Sequence, residues 1–451
     1  MIKKVLIANR GEIAVRIIQA CQELNIETVA VFSEADREAL HVELAEEAYC
    51  IGPAPSSQSY LNIENILKIA TLTNVDAIHP GYGFLAENVE FASLCKQCDI
   101  TFIGPSPESI KQMGIKDVAR QTMKEANVPI APGSDGVIQN KDEAIQLAEE
   151  IGFPIIIKAT AGGGGKGIRV ARDVDSLKKG IEITEQEANT AFGNPGVYLE
   201  KYIEDFRHIE IQILADTHGN TVHLGERDCT IQRRMQKLIE ETPSPAITTE
   251  TREKMGESAI QAAKAVNYVG AGTVEFIYDY VNDIFYFMEM NTRIQVEHPI
   301  TEMVTGIDIV KEQLRIASGL ELQIKQEDIE QSGWSMECRI NAEDPENNFM
   351  PSPGEIKQII PPGGFGIRVD TAVYPGYTIQ PFYDSMIAKL IVHGKNREDV
   401  ITKMKRALQH YTIKGVKTTI PFLYQVLQNE DFISGEYNTN FLKIYSEKQE
   451  V

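Results

Sequence analysis

The sequence predicts an N-terminal parallel α/β domain followed by two further α+β domains, on three observations. Strand-like and helix-like patterns alternate in units of roughly 30 residues over the N-terminal part, which is typical of a parallel sheet. A glycine-rich segment between two apolar runs indicates a β-hairpin rather than a strand–helix turn. The C-terminal part mixes short strands with one long helix. With 451 residues, the chain has room for about three domains.

The predicted elements follow one another closely along the chain. Val5–Ala8 is short and apolar, and the next segment repeats apolar residues at helical spacing, so a buried strand precedes an amphipathic helix. Proline and glycine at 104–107 and 128–136 are typical of connections, with a domain boundary near residue 113. Strands are predicted over Val5–Ala8, Thr28–Phe32, Val75–Ile78, Ile100–Ile103, Phe153–Ala159, Ile168–Ala171, Gly366–Val369 and Met386–Val392, and helices over Glu12–Leu24, Ala86–Lys96 and Arg397–Gln409.

Composition and charge argue against several classes of protein. The chain is 43% apolar and 24% charged, as in a folded globular protein, and its formal charge is −21. A chain this acidic is repelled by nucleic-acid phosphates and anionic lipids, so neither nucleic acid nor a membrane is expected as a main partner. No apolar stretch approaches 18 residues, and the first apolar run is too short for a signal peptide, so a cytoplasmic location is predicted.

The cysteines indicate a reducing compartment. Six cysteines in 451 residues are too few for a disulfide framework. Cys95 and Cys98 match the spacing CxxC, but they fall at the end of a predicted helix, where the helix dipole disfavours a thiolate. We therefore interpret this spacing as a chance occurrence rather than a redox motif.

A run of glycines at 162–167 follows a predicted strand. Gly162, Gly164 and Gly167 match the spacing of the dinucleotide-binding fingerprint, but that loop opens a helix, whereas this one leads into a second strand. A Walker A loop does not fit either, because Gly167 stands where Ser or Thr is required. Glycines at a hairpin leave backbone N–H groups free to approach phosphate. We interpret the segment as a phosphate-covering lid, the alternative being a plain flexible turn.

The sharpest signal is a pair of apolar strands around a polar loop at 279–283. If the hairpin centres on Asn282, Glu275 stands directly opposite Glu289. Carboxylates directly opposed on neighbouring strands repel each other unless a cation lies between them. Mg²⁺ is the natural cation, because it is held by one or two carboxylates together with substrate phosphates. The sequence therefore predicts a metal site on this hairpin.

Polar residues occupy successive odd positions from the second strand of this hairpin onward. In extended chain, side chains at odd positions project from one face, so a functional row is predicted, the alternative being an ordinary solvent-exposed face. Arg293 is suited to fork onto a carbonate-like anion, and Glu297 to act as a base. The row consists of Glu289, Asn291, Arg293, Gln295 and Glu297.

Six segments together resemble the biotin carboxylases of the ATP-grasp superfamily. The segments lie in order along essentially the whole chain, at 4–16, 79–88, 162–167, 226–234, 289–299 and 336–344. The resemblance implies an N-terminal α/β (pre-ATP-grasp) domain at 1–113, an ATP-grasp domain at 114–330 with its glycine-rich lid at about 131–203, and a mixed α+β C-terminal domain at 331–446.

The resemblance also implies a role for each residue that matches the family's motifs. ATP phosphates fall to Lys116, Lys158, Gly164 and Gly165. Adenine and ribose fall to Glu200, Lys201, Tyr202, Ile203, His208 and Gln232. Mg²⁺, or Mn²⁺ in its place, falls to Glu275, Glu289 and Asn291. Bicarbonate falls to Lys237, Arg293, Gln295 and the Val296 backbone, with Glu297 as the base, and biotin to Arg339 and the loop of Tyr82.

The activity implied by the resemblance is ATP-dependent carboxylation of biotin with bicarbonate, through carboxyphosphate. The chain has no Met-Lys-Met biotinylation motif, and its nearest string, Lys403-Met404-Lys405, falls in a predicted helix. Biotin is therefore expected on a separate biotin carboxyl carrier protein, with separate carboxyltransferase subunits. Acetyl-CoA is the default final acceptor, with propionyl-CoA or pyruvate as alternatives. Another ATP-grasp ligase, or a non-enzymatic ATP-binding subunit, are the competing interpretations.

Two positions depart from the family pattern. Met235 stands where some members have a His that contacts the ribose, and a thioether cannot donate a strong hydrogen bond. Gln19 stands where an Arg pairs with the Glu that corresponds to Glu23 at a dimer interface, while Phe365 and Arg368 keep the rest of that surface. A homodimer is expected, with one contact weakened.

Overall fold

A computed structural model describes residues 1–160 and 167–449 of the chain. The predicted phosphate-binding residues Gly164 and Gly165, and Gly162 before them, lie outside the described residues. Among the described helices, none combines the length and the apolarity needed to cross a membrane.

The N-terminal region contains the predicted parallel sheet, with strand order β3-β2-β1-β4-β5. Its strands are β1 Lys4–Ile7, β2 Glu27–Ser33, β3 Glu47–Gly52, β4 Ala77–His79 and β5 Thr101–Phe102. Its helices are α1 Gly11–Glu23, α2 Leu40–Leu44, α3 Ile63–Leu72, α4 Val89–Gln97, α5 Pro107–Gly114 and α6 Lys116–Glu125. The four predicted strands are confirmed. Strand β3 escaped prediction because it is a half-exposed edge strand of mixed polarity.

Helix α4 begins later than the sequence predicts, for a local reason. The predicted start is Ala86, but the Asn88 side chain accepts a hydrogen bond from the Phe91 N–H and caps the helix at Val89. Cys95 is buried in α4 and Cys98 is exposed at its C-terminal end, and burial raises the pKa of the Cys95 thiol to about 12. The placement of this pair agrees with the interpretation of the CxxC spacing as a chance occurrence rather than a redox motif.

The glycine-rich segment lies between two antiparallel strands, as predicted. Lys158 on the first strand pairs in register with Ile168 on the second. The elements of this part are α7 Lys141–Ile151, β6 Ile155–Ala159, β7 Ile168–Ala171, α8 Val174–Phe192 and β8 Val197–Lys201. The strands form a separate antiparallel sheet of order β7-β6-β8.

A third, eight-stranded sheet runs through the middle and C-terminal parts of the chain. Its middle elements are β9 Arg207–Ala215, β10 Thr221–Arg233, β11 Gln236–Thr242, α9 Thr249–Ala265, β12 Gly270–Asp279, β13 Ile284–Asn291, α10 His298–Thr305 and α11 Ile309–Ala317. Its other strands, β14 Trp334–Asn341, β19 Ile367–Thr371 and β21 Met386–Gly394, come from the C-terminal part. The strand order is β13-β12-β9-β10-β11-β14-β21-β19, so the pairing of β11 with β14 joins the two parts directly. Strand β9 places Ile209, Ile211 and Ile213 in an apolar core with α9. Side chains alternate along a strand, so the polar residues between these isoleucines project from the other face of the sheet.

The C-terminal part mixes short strands with helices, as predicted. The remaining elements are β14 Trp334–Asn341, β15 Glu343–Asp344, β16 Met350–Pro351, β17 Gly354–Glu355, β18 Gln358–Ile360, β19 Ile367–Thr371, β20 Thr378–Ile379, β21 Met386–Gly394, α12 Arg397–His410, β22 Thr412–Lys414, α13 Ile420–Val426, α14 Glu430–Ser434 and α15 Phe441–Gln449. The predicted strands near 367 and 386 and the predicted helix from Arg397 are all present. Lys405 lies inside α12, so this string is not on a hairpin.

The hairpin β12–β13 has the predicted register at its functional end, but not the predicted extent. Glu275 pairs with Glu289, although the turn is one residue shorter than predicted and a bulge beside Glu289 restores the register. The strand ends at Asn291, so the predicted extended row does not continue to Glu297. Residues 292–297 instead form turns, and Glu297 is the N-cap of α10. The prediction of one strand face for all five polar residues was wrong.

Candidate active site

Three carboxylates lie side by side across neighbouring strands. Glu289 on β13 pairs with Glu275 on β12, and Glu275 pairs with Glu210 on β9. Residues directly opposite each other project to the same face of a sheet, so the three form one acidic row. Glu210 is fully buried and Glu275 nearly so. Glu289 is exposed, but the two buried carboxylates of the row require cations close by.

Lys237 on β11 provides one of these cations. Its Nζ lies 2.6 Å from Glu210, 2.9 Å from Glu275 and 2.7 Å from Glu297. Burial by itself lowers the pKa of the Lys237 ammonium, but the three carboxylates outweigh it and hold the pKa well above its ordinary value. Lys237 is therefore charged at neutral pH, and it links the acidic row to Glu297.

Arg227 is the second cation of the row, and the sequence did not single it out. It is fully buried on β10 and opposite Glu210, whose carboxylate accepts its Nε–H at 2.5 Å. Its remaining N–H groups donate to Gln212 at 2.7 Å, Thr273 at 3.1 Å and Thr301 at 3.0 Å. A buried guanidinium with four partners is rigidly held. The only sequence signal for it is its place within the matching segment at 226–234.

Glu297 lies where the middle and C-terminal parts of the sheet meet. Its carboxylate accepts hydrogen bonds from Lys237 at 2.7 Å and from Arg339 on β14 at 3.0 Å, and it is fully buried. Burial by itself raises the pKa of the Glu297 carboxyl, but Lys237, Arg339 and Arg227 outweigh burial and hold it well below its ordinary value. Glu297 is therefore an ionised carboxylate inside a buried site.

Arg293 and Gln295 reach the same cluster from the turn after β13. Arg293 pairs with Glu87 at 2.9 Å and donates to Gln295 Oε1 at 2.9 Å and to Asn291 Oδ1 at 3.2 Å. Gln295 in turn donates to Glu275 at 3.0 Å. Glu87 comes from the N-terminal region and was missed, although it lies in the matching segment at 79–88. The residues predicted as one row therefore do converge, but through a turn.

A cavity of about 250 Å³ opens beside the acidic row. Lys116, Arg120, Glu200, Glu289 and Asn291 contribute to its lining. Partial desolvation raises the pKa of Glu289 although the residue is exposed, and the neighbouring Glu275 charge raises it further, while Lys116 opposes the shift. Burial lowers the pKa of Lys116, which Glu289 partly offsets. The side-chain carboxylate of Glu289 accepts no hydrogen bond from any residue that the structure describes, so its two oxygens are available to a cation or a ligand.

The donors near this cavity suit a hard divalent cation. Glu275, Glu289 and Asn291 can offer only oxygen ligands, which is the preference of Mg²⁺ and Mn²⁺. The amide Nδ2 of Asn291 is buried without a partner among the described residues, while its Oδ1 accepts from Arg293. Glu289 is exposed, so a cation can reach its oxygens. These residues therefore fit the predicted metal.

Of the residues predicted for the nucleotide, Lys116 and Glu200 line this cavity. Lys158 pairs with Glu200, as expected for a lysine that ends a buried strand, and Arg120 donates to Glu200 at 2.8 Å. Lys201 donates to the carbonyls of residues 152 and 153, and Tyr202 and Ile203 follow it at the end of β8. Met235 instead lies at the β10–β11 turn with a positive φ of 65° and is 69% exposed.

His208 joins the nucleotide side to the acidic row. Its Nδ1 accepts a hydrogen bond from the Gln232 amide at 2.6 Å, which leaves Nε2 as the protonated nitrogen. Nε2 lies 3.1 Å from the Glu275 carboxylate. Two of the residues predicted to contact adenine or ribose, His208 and Gln232, are thus in direct contact, and His208 also contacts a predicted metal ligand.

Arg339 and Tyr82, predicted to face biotin, each contact a buried carboxylate. Arg339 donates to Glu240 at 2.6 Å as well as to Glu297. Burial raises the pKa of Glu240 to about 7, against the lowering effect of Arg339. The Tyr82 hydroxyl donates to Glu12 on α1. Glu240 and Glu12 were not predicted, because each looks like an ordinary polar residue in its own element.

The predicted dimer surface is charged and partly paired within the chain. Glu23 pairs with Lys311, while Gln19 lines the same shallow groove. Arg368 contacts Glu302 and Asp370, both at 2.7 Å. Phe365 is 89% exposed.

Comparison with known proteins identifies the family. Residues 1–110 match the family model of the biotin carboxylase N-terminal domain, 116–325 that of the carbamoyl-phosphate synthase L chain ATP-binding domain, and 337–444 that of the biotin carboxylase C-terminal domain. The chain is 68% identical over 445 residues to biotin carboxylase 1 of Bacillus subtilis (strain 168), covering 99% of each chain.

Solved structures agree with these matches. The biotin carboxylase of Campylobacter jejuni, in a complex with a β,γ-ATP ligand, superposes with a TM-score of 0.94 at 49% identity, covering 98% of this chain and 99% of that one. The biotin carboxylase domain dimer of the Hydrogenobacter thermophilus 2-oxoglutarate carboxylase, bound to MgADP, ADP and bicarbonate, gives 0.93 at 53% identity, covering 99% and 98%. The chain therefore belongs to the biotin carboxylase family of ATP-dependent ligases.

Proposed function

We propose that this site carboxylates carrier-bound biotin in two steps, with Glu297 as the base of the first. The observation that carries the proposal is the Glu297 carboxylate, fully buried and held between Lys237 and Arg339. A buried, ionised carboxylate between two cations is placed to accept a proton from a substrate that binds beside it. Bicarbonate is such a substrate, because it is an anion that the two cations attract.

We infer that bicarbonate increases the basicity of Glu297 as it binds. In its absence, Lys237 and Arg339 hold the pKa of Glu297 low, and a carboxylate with a low pKa is a weak base. Bicarbonate oxygens next to Lys237, Arg293 and Gln295 would compete for the same cationic donors. Each contact withdrawn from Glu297 raises its pKa. The base would therefore become effective when its substrate is present.

The first step transfers the bicarbonate proton to Glu297 while the carbonate oxygen attacks the γ-phosphorus of ATP. A P–O bond forms to carbonate, the bond to the β-phosphate oxygen breaks, and ADP leaves. Lys116 and Lys158 would balance the charge of the phosphates, and Glu275, Glu289 and Asn291 would hold Mg²⁺ or Mn²⁺. When bound, that ion supplies electrostatic stabilisation of the transferring phosphoryl group. Gly164 and Gly165 stay predicted contacts of the phosphates.

In the second step, carboxyphosphate separates into CO₂ and phosphate, and the phosphate removes the N1′ proton of biotin. The N1′ nitrogen then attacks CO₂, and a C–N bond forms. Negative charge develops on the ureido oxygen during proton removal. Arg339 is charged, and its contact with Glu240 is made through Nε. Its other N–H groups are suited to the ureido oxygen. Tyr82, on its loop from the N-terminal region, would border the biotin ring.

The partners and the acceptor are inferred from the family. We propose a homodimer through the surface around Phe365 and Arg368, a biotin carboxyl carrier protein as the donor of biotin, and separate carboxyltransferase subunits. Acetyl-CoA is the proposed final acceptor. A relative that serves a 2-oxoglutarate carboxylase demonstrates that this fold also serves other acceptors. The division at 113 and 330, and the cytoplasmic location, stay predictions.

The test is to measure ADP release and carboxybiotin formation in parallel, with and without bicarbonate and free biotin. We expect ADP release to depend on bicarbonate, and carboxybiotin to require both substrates. ADP release that does not depend on bicarbonate would contradict the proposed first step. A ligase for another acyl-phosphate acceptor would release ADP without any dependence on biotin or bicarbonate.

A further inference from the structure

Lys389 is a fully buried lysine that neither the sequence motifs nor the proposed reaction uses. It lies on β21 directly opposite Arg339 on β14. Directly opposed residues project to the same face of a sheet, and two like charges there destabilise it unless anions lie between them. Burying an ammonium group costs several kcal/mol unless it is well paired. A lysine in this place therefore needs hydrogen-bond acceptors and carboxylates that stabilise its charge.

Its partners come from three parts of the chain. Lys389 Nζ donates to the carbonyl oxygen of Val296 at 3.0 Å, lies 3.1 Å from Glu12 on α1, and lies 3.8 Å from Asp370 on β19. Burial by itself lowers the pKa of the Lys389 ammonium, but Glu12 and other nearby carboxyl groups outweigh it and raise the pKa above its ordinary value. Lys389 is thus a charged donor aimed at one backbone carbonyl.

That carbonyl immediately precedes the proposed base. Arg339 holds the Glu297 carboxylate at 3.0 Å, while Lys389, on the neighbouring strand, holds the peptide oxygen one residue earlier. The two opposed cations therefore hold the same two-residue segment at its side chain and at its backbone. This segment lies in a turn outside regular strand structure, so no ladder of sheet hydrogen bonds orients it.

We propose that Lys389 is a positioning residue for the reaction. By fixing the peptide between Val296 and Glu297, it keeps the Glu297 carboxylate at the place where it meets Lys237 and bicarbonate. A displacement of about 1 Å in a reacting group can reduce a rate by about 10²-fold, so one well-placed donor has a measurable effect. The inference rests on the proposed role of Glu297 as the base.

The test is Lys389→Met, which keeps the apolar stem and removes the charge and the donor. We expect the kcat of bicarbonate-dependent ADP release to fall about 10–100-fold. The KM for ATP should not change, because Lys389 is not among the residues that line the nucleotide cavity. Lys403→Met is the matched control, because Lys403 also donates to a carbonyl and a carboxylate, His393 O at 3.2 Å and Asp399 at 2.9 Å, but on α12. It should retain full kcat.

A double variant separates positioning from charge balance. Lys389→Met alone leaves Glu12 buried without its cation, which threatens folding. Glu12→Gln/Lys389→Met removes both charges, and its fold is checked by circular dichroism and thermal unfolding. If Lys389 positions the peptide, the double variant folds but keeps the low kcat. A double variant with restored kcat would overturn the proposal, since Lys389 would then only balance Glu12.

The two proposals fail in different ways. If Glu297→Gln retains bicarbonate-dependent ADP release, the proposed base is wrong, and with it the reason to position this segment. If Glu297→Gln is inactive while Lys389→Met keeps the parental kcat and KM, only the role of Lys389 is wrong.

Discussion

The two ends of the eight-stranded sheet each bring together side chains of one charge, negative at one end and positive at the other. At one end, β13, β12 and β9 bring Glu289, Glu275 and Glu210 side by side. At the other end, β14 and β21 bring Arg339 and Lys389 side by side. An acidic row attracts cations, and a pair of buried cations attracts anions. The reaction needs both, a metal for ATP and positive charge for bicarbonate and the biotin oxygen, and Lys237 with Glu297 joins them.

The ionisation of the carboxyl groups follows the same division. Burial raises the pKa of Glu275, but Lys237 and His208 outweigh it and leave the pKa below its ordinary value. Glu240, in the cationic end, keeps a pKa raised to about 7 by burial, because Arg339 is shared with Glu297. Nearby cations and burial therefore act together in setting which of these two groups is charged.

The largest expected effect is at the junction between the two ends. Glu297→Gln keeps the shape of the side chain but cannot accept the bicarbonate proton, so we expect ADP release and carboxybiotin formation to fall together, by about 10²–10⁴-fold. Both are measured at saturating ATP. Glu253→Gln, at an exposed position on α9, is the matched control and should retain activity. Loss of only one of the two activities would show that Glu297 takes part in only one of the two steps.

Removal of a cation from the far end should separate the activities. Arg339→Ser removes the proposed donor to the ureido oxygen, and we expect carboxybiotin formation to fall about 10²–10³-fold. Bicarbonate-dependent ADP release should fall less, because Glu297 keeps its contact with Lys237. The ratio of ADP to carboxybiotin is the measurement. An unchanged ratio would contradict the assignment of Arg339 to biotin.

Removal of a carboxylate from the acidic row should change the metal requirement. Glu289→Gln removes one anionic oxygen ligand, so we expect at least a tenfold rise in the Mg²⁺ concentration needed for half-maximal ADP release. The measurement is a Mg²⁺ titration at fixed ATP. Cys95→Ser, in the core of the N-terminal region, should leave the titration curve unchanged. Superimposable curves for Glu289→Gln and the parent would contradict the hairpin metal site.

The smallest expected effect is a change in how stability depends on pH. The folded protein binds the Glu240 proton more tightly than the unfolded chain, because the pKa is raised from 4.5 to about 7. Between these values the folded state carries more protons, so the contribution of Glu240 to stability is lost as pH rises from about 4.5 to about 7. Glu240→Gln should make the free energy of unfolding fall less steeply over this range. Denaturant unfolding at several pH values measures the slope.

Part of the site could be predicted because it depends on local periodicity. The opposition of Glu275 and Glu289 follows from the two-residue repeat of strands on either side of one polar loop. The prediction reached the right register although the turn is one residue shorter, because a bulge compensates. The same periodicity was wrong beyond Asn291, where the chain leaves the sheet and turns into α10. Periodicity is informative only while the backbone stays extended.

By itself, the sequence determined the alternation of strands and helices in the N-terminal region, the glycine-rich hairpin, the opposed carboxylates and, through its motifs, the family. Only the tertiary structure decided that Arg227, Glu210, Glu240 and Lys389 belong to the site, and that Arg293 pairs with Glu87. The physical reason is that a buried charge is stabilised by partners brought close by folding, and those partners lie on strands far apart in the chain. No local pattern records which strand will become the neighbour of which.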